Sequence, residues 1–350
     1  MLLPLSNQRS ELRKRILTVT EATFTQLALD LFRYQACHNA TYAEYLHHLR
    51  RDPETVTTLE QIPFMPIRFF KSHQLLIPEL TPDLPATVFA SSGTTGPATS
   101  RHFVTDLALY DAVCTSTFEA VYGPLSHYYV LGLLPSYLER NNSSLVYMVQ
   151  RFMEQSGSAV SGFYLADFDA LTHHLRQLTG QPDGRKILLI GVTFGLLDWV
   201  EQTPDLAFLA QNRELIVMET GGMKGRRREM LRNEVHAELT QALHRPTIHS
   251  EYGMTELLSQ AYSTGEGIFA PSATLRVFLR DLNDPFHIYP PTQTSARQTG
   301  GVNVIDLANL DSCAFIETQD LGQYVGTEGH FRIIGRFDNS DVRGCNLLVL

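Results

Sequence analysis

Six consecutive residues, Ser91-Ser92-Gly93-Thr94-Thr95-Gly96, set four hydroxyls around two glycines. A loop of this kind presents backbone N–H groups and hydroxyls together, which is what a polyphosphate asks of a protein. No Gly-Lys-Ser/Thr follows, so it is not a P-loop, and alone it reads equally as a polar surface turn. Four other stretches carry chemistry of a related kind. Glu219-Thr220-Gly221-Gly222-Met223-Lys224 stands where a strand pattern gives way to a helix pattern, and paired glycines let a flat ring approach the backbone. Glu251-Tyr252-Gly253-Met254-Thr255-Glu256 offers an aromatic face for a base, and Glu256 a carboxylate able to hold Mg²⁺ against phosphates. Glu317-Thr318-Gln319-Asp320-Leu321-Gly322 is expected to end a strand with an acid that can accept from ribose hydroxyls. Gly335-Arg336-Phe337-Asp338 closes the last strand pattern with a guanidinium suited to ribose or phosphate. Taken one at a time, each is also an ordinary turn bearing a charge.

The elements that must position these residues follow from periodicity. Apolar positions at three- and four-residue spacing predict a single amphipathic helix over 9–33, with Ser10 as its cap, and a second over 41–50. The prolines at 63 and 66 end helix and favour extended chain, and 67–71 reads as a strand or turn. Residues 86–90 form a short strand before the hydroxyl loop, and 105–122 a helix after it. Strands at 128–134, 163–165, 186–192 and 215–218 then alternate with helices at 144–153, 167–178, 196–201 and 224–243. The last of these is expected to turn Leu231, Val235, Leu239 and Leu243 inward. Such alternation is the mark of a largely parallel sheet covered by helices. Beyond about residue 266 the pattern changes to short strands at 275–279, 302–307, 313–317 and 330–335, an antiparallel sheet or small barrel.

Composition narrows the class. The 350 residues are 43% apolar and 19% charged, enough for a sizeable core in one large or two ordinary domains. A net charge of -9 argues against nucleic acid or an anionic membrane as partner, and Arg226-Arg227-Arg228 reads as a solvated helix start. No stretch reaches the roughly 18 apolar residues of a membrane span, and the amino terminus lacks a secretory core. Four dispersed cysteines without a Cys-x-x-Cys pair argue against a zinc or disulfide framework and fit a reducing cytoplasm.

Considered jointly, the hydroxyl loop, Tyr-Gly-Met-Thr-Glu and an acid ahead of Gly-Arg-x-Asp resemble the acyl-adenylate-forming enzymes. These are the acyl-CoA ligases, the luciferases and the adenylation domains of peptide synthetases, and the likeness runs over about 85–338. It implies an α/β large domain of mostly parallel, helix-covered sheets over about 1–265, with a small antiparallel β subdomain over 266–338. The likeness also implies ATP and Mg²⁺ as cofactors. Residues 91–96 would hold the β- and γ-phosphates, and Tyr252 with Gly221 and Gly222 would border the adenine, alongside Gly253 and Met254. Glu256 would bind Mg²⁺ and, with Thr255, belong to the catalytic set; Asp320 would take the ribose hydroxyls and Arg336 the ribose or α-phosphate side. Two departures stand out. The lysine that usually follows the loop is replaced by Pro97-Ala98-Thr99-Ser100-Arg101, and after Asp338, the hinge position, the mobile C-terminal domain with its catalytic lysine is not expected.

This shortened form is similar to the acyl-protein synthetases of bacterial luminescence, the LuxE family. Residues 62–71, 134–140, 219–227 and 251–262 carry that likeness, as does the ending Val342-Arg343-Gly344-Cys345-Asn346-Leu347. In that family a cysteine near the C-terminus receives the acyl group as a thioester, and Cys345, on the tail 339–350, is the matching position. A free thiol has a pKa of about 8.5, and Arg343 nearby can favour the thiolate. The implied substrate is a carboxylic, in particular a fatty, acid, and the implied partner a reductase, acyltransferase or carrier protein. The related enzymes place the acyl pocket around Tyr164, residues 191–195 and 259–262, where Gly191 and Gly195 would admit a long chain. Two other readings stay open: transfer to CoA, a carrier thiol or an amine, and a non-catalytic nucleotide-binding subunit. Cys37, Cys114 and Cys313 are read as packing residues.

Overall fold

The computed structural model describes residues 4–77, 87–91, 99–135, 142–222, 227, 230–289 and 298–337. The chain opens with α1 (Leu5–Leu17), α2 (Glu21–His38) and α3 (Ala40–His48). The periodicity over 9–33 is therefore shared by two helices. Helix α1 begins at Leu5 rather than at a Ser10 cap, and the second starts anew because Thr20 and Thr23 form a reciprocal capping pair, Thr20 N–H donating to Thr23 Oγ1 at 2.9 Å. Strand β1 (Met65–Pro66) follows, and 67–71 is neither strand nor simple turn but leads into a one-turn helix, α4 (Phe69–Ser72).

Strands β2 (Thr87–Ala90) and β3 (Arg101–Val104) pair antiparallel as a separate hairpin. Then come α5 (Leu107–Tyr122), β4 (Tyr128–Leu133), α6 (Ser144–Ser156), β5 (Gly162–Phe163), α7 (Phe168–Gly180), β6 (Lys186–Val192), α8 (Thr193–Gln202) and β7 (Leu215–Thr220). Side-chain caps start four of the helices described: Asn39, Asp106, Ser143 and Asp167 accept from the N–H groups of Tyr42, Leu109, Val146 and Ala170. Gly157, with φ of 62°, ends α6 in the left-handed conformation. Helix α9 (Arg232–Leu243) starts later than its sequence pattern suggests; Leu231 precedes it and is 61% exposed, while Val235, Leu239 and Leu243 turn inward. Strands β8 (His249–Tyr252) and β9 (Ala261–Ser263) complete a sheet ordered β5-β4-β6-β7-β8-β9, parallel except at β9. Its middle strand β6 is a run of buried Ile, Leu and Val, as expected where both faces are covered. Helix α6 packs against β4, α8 against β6 and β7, and α5 against β9.

The remaining strands, β10 (Leu275–Arg280), β11 (Ile288–Tyr289), β12 (Thr299–Asp306), β13 (Phe315–Val325) and β14 (His330–Arg336), form an antiparallel sheet. It is not purely C-terminal, because β1 joins the edge of β13 in parallel, Met65 opposite Ile316. Helix α2 binds this region too: the buried Gln35 donates to the carbonyls of Asn309 and Leu310 and accepts from Ala314 N–H. The molecule is thus a mixed α/β protein with a mainly parallel and a mainly antiparallel sheet. Among the described residues no helix is long and apolar enough to cross a membrane.

Candidate functional site

The hydroxyl loop connects the two arms of the β2–β3 hairpin. Its feet are fastened: Ser91 N–H donates to the Ser100 carbonyl and Ser100 N–H to Ser91 Oγ, both at 3.0 Å. Ser92, Gly93, Thr94, Thr95 and Gly96 lie outside the described residues, as do Met223, Lys224, Asp338 and Cys345. The hairpin is anchored sideways by Ala90 N–H on the Asn142 carbonyl, and from β3 by His102.

His102 is buried and hydrogen-bonds the Thr255 carbonyl through Nδ1 at 2.9 Å and Ser312 Oγ through Nε2 at 3.1 Å. A carbonyl only accepts, so Nδ1 carries the proton and Nε2 accepts from the serine hydroxyl. Burial pushes its pKa down to about 4 against the contrary pull of the Thr255 bond, so the ring is neutral at pH 7. Two further contacts hold the same turn. Asn309 donates to the Glu256 carbonyl at 2.8 Å, and Asp306 accepts from the N–H groups of Leu258 and Ser259 and the Ser259 hydroxyl. The Glu256 backbone is thereby fixed from the hairpin, from β12 and from the loop after it. Its side chain is buried, and burial raises its pKa against the Ser100 hydroxyl and Arg336, which favour the carboxylate. A single carboxylate beside a hydroxyl fits Mg²⁺, which ordinarily takes one or two protein carboxylates and leaves the rest to phosphates and water.

Asp320 sits within the eleven residues of β13, not at a strand end as its sequence suggests. Tyr252 O–H donates to its Oδ2 at 2.9 Å and Arg336 Nε to its Oδ1 at 3.0 Å. Each oxygen keeps a lone pair for a further donor, so the carboxylate still fits a ribose hydroxyl. Burial raises its pKa, offset in part by Arg336 and Tyr252. The Arg336 side chain is 65% exposed. Arg336 reaches Asp320 only because of a bulge. From 325 back to 322 the register pairs Val325 with His330 and Gly322 with Ile333, then skips Ile334 so that Leu321 meets Gly335 and Asp320 meets Arg336. Were the register continued without that skip, Arg336 would oppose Gln319 on the other face of the sheet. The Tyr252 ring is buried against Phe269 and Phe331.

The carboxyl ends of the parallel strands supply a second polar layer that sequence reasoning did not resolve. Gly221, with φ of 73°, turns the chain after β7, followed by the half-exposed Gly222. Just before them Glu219 is buried and paired with Arg232 Nε at 3.0 Å and His236 Nε2 at 3.5 Å, and it accepts from Thr193 Oγ1 at 3.0 Å. On the next strand Glu251 is also buried and, among the described residues, accepts from Thr220 Oγ1 alone. A Cβ on Gly253 would run into Glu251 Oε1, so the glycine leaves that carboxyl its place. Met254 packs against the core and Thr255 contributes its carbonyl to His102. Gly191 and Gly195 do not open a channel: the volume a Cβ would occupy is taken by Leu196 at 2.8 Å and Pro135 at 3.0 Å.

Sequence signals for His102 and Asp306 were present but weak. Arg101-His102-Phe103-Val104 alternates as a half-buried strand, and a lone Asp at the end of an apolar strand is a candidate acceptor for a neighbouring turn. Among the described cysteines, burial pushes Cys114 and Cys313 up to about 12, and Cys37 is exposed on α2. No protein-family model matches the sequence, and no curated protein matches it either.

Proposed function

We propose that this chain activates a carboxylic acid with ATP and passes the acyl group through Cys345 to a partner. The observation that supports this best is convergence. Tyr252, Glu256, Asp320 and Arg336, spread over 85 residues of sequence, come together where β8 of one sheet touches β13 and β14 of the other, next to Ser100 at the foot of the hydroxyl loop. A hydroxyl ligand, a divalent cation and a phosphate would each find a suited partner there: Asp320, Glu256 and Arg336 respectively. In the first step the acid's carboxylate attacks the α-phosphorus of ATP, the bond to pyrophosphate breaks, and acyl-AMP forms. Arg336 and the loop donors would offset the charge that develops on the phosphates, and Mg²⁺ held by Glu256 would supply the same screening. In the second step the Cys345 sulfur attacks the acyl carbon, its proton passes to solvent, AMP departs, and a thioester remains for a reductase, acyltransferase or carrier protein.

The test is direct. With ATP and a radiolabelled acid the wild type should acquire a hydroxylamine-labile adduct and catalyse ATP–pyrophosphate exchange. Cys345→Ser should keep the exchange and lose the adduct. Equal labelling of the serine variant would refute the thioester, and no exchange with any acid would refute adenylation.

A further inference from the structure

On the α5 side of the parallel sheet, three strand ends carry polar groups for which the nucleotide reading has no use. Thr220 pairs with Glu251, and Glu251 with Tyr262, as direct cross-strand partners, so the three side chains leave the sheet on one face. Gln260, two residues before Tyr262, joins them. Its Cγ and the Glu251 carboxyl oxygen lie 3.7 and 2.2 Å from the position a Cβ on Gly253 would take. Glu251, Gln260 and Tyr262 are all more than nine-tenths buried, at 6%, 3% and 3% exposure. Thr220 Oγ1 occupies one oxygen of Glu251. Gln260 Oε1 and the Tyr262 O–H have no hydrogen-bond partner among the described residues. Leaving a buried polar group unpaired is costly, and here an acceptor and a donor are orphaned on the same face beside a carboxyl.

We infer that Glu251, Gln260 and Tyr262 line the pocket for the acid and select one that carries a hydroxyl over one that ends in plain alkyl. A hydroxyl donates to Gln260 Oε1 and accepts from the Tyr262 O–H at once, completing both groups, whereas a methyl completes neither. Tyr252, the next residue along β8, points to the opposite face and binds Asp320, so the wall stands beside the nucleotide residues without overlapping them. This inference rests on the adenylation reading for its location, and on the orphaned atoms for its chemistry.

The experiment compares isosteric acids. Calorimetric affinities of para-hydroxybenzoate against para-methylbenzoate, of ω-hydroxyhexanoate against heptanoate, and of dodecanoate are measured on wild type, Tyr262→Phe and Gln260→Met. The hydroxyl member of at least one pair should bind about tenfold or more tighter on wild type, because a site built for a hydroxyl rejects its isostere. That ratio should collapse toward unity in both variants. A ratio near unity on wild type, a preference for dodecanoate, or a ratio unchanged in both variants, as a trapped water would give, overturns the inference. ATP–pyrophosphate exchange with the same acids keeps the two claims apart. Selective binding without exchange sinks adenylation and leaves the pocket standing; exchange with dodecanoate alone does the reverse.

Discussion

Glu219 and Glu251 end adjacent parallel strands, both are buried, and they titrate in opposite directions. The period-two geometry of the strands sends the first toward α9 and the second toward α5. On the α9 side, burial would raise the Glu219 pKa, yet His236, Arg232 and Ser250 together pull it below the ordinary value. On the α5 side, burial raises Glu251 to about 7; the Thr220 hydrogen bond opposes the rise, and the charge on Glu219 adds to it. The same residue type at similar depth is thus an anion in one place and, at pH 7, about half protonated in the other. Company decides, not burial.

The largest expected effect comes from stripping the cation from the first glutamate. Arg232→Ala leaves Glu219 buried with His236 as its remaining basic neighbour, and chemical denaturation should show a loss of about 3 kcal/mol. A loss under about 1 kcal/mol would mean that His236 alone suffices. The second prediction concerns pH. Because Glu251 has a raised folded-state pKa, its contribution is full below the unfolded value of 4.5 and is lost as pH rises toward about 7. Glu251→Gln should remove that loss, so the variant gains on wild type by up to about 3 kcal/mol between pH 4.5 and 7.5, read from denaturation midpoints across that range. Glu219, with its lowered pKa, works the other way, stabilising above its unfolded value and losing that stability only as pH falls. A flat difference between wild type and Glu251→Gln would show that Glu251 is charged throughout. The smallest effect is expected from Thr193→Val, which deletes one donor to Glu219 and should cost about 1 kcal/mol.

Much of the scaffold was legible from the chain alone. Strand β6 has the boundaries its apolar run announces, and α6 follows its stripe from the Ser143 cap. The readable features are local: a cap, a period, a run. What stayed hidden depends on partners far away in sequence. The edge pairing of Met65 with Ile316, the grip of Asp306 on the turn at 258–259, and the neutral state of His102 each need a neighbour that no periodicity names. The split at 18–20 was missed because an apolar stripe can continue across two helices, whereas a Thr–Thr capping pair resembles ordinary helix surface. In the site, Tyr252, Glu256, Asp320 and Arg336 could be picked out by type and order. The two buried glutamates could not be told apart, since their difference lies in which helix each one faces.

The skipped Ile334 gives the C-terminal sheet a kind of reading frame. Every side chain before the skip and every one after it is in phase with β13, but the two phases differ by one. If the ladder ran on past Ile333 without the skip, the pairing of Tyr324 with Phe331 would stay intact, while Arg336 would fall opposite Gln319 and turn to the other face, away from Asp320. A sheet in that register would keep its core sound and lose the ion pair between Arg336 and Asp320. In this sheet, then, composition keeps the protein folded, while counting keeps Arg336 on target.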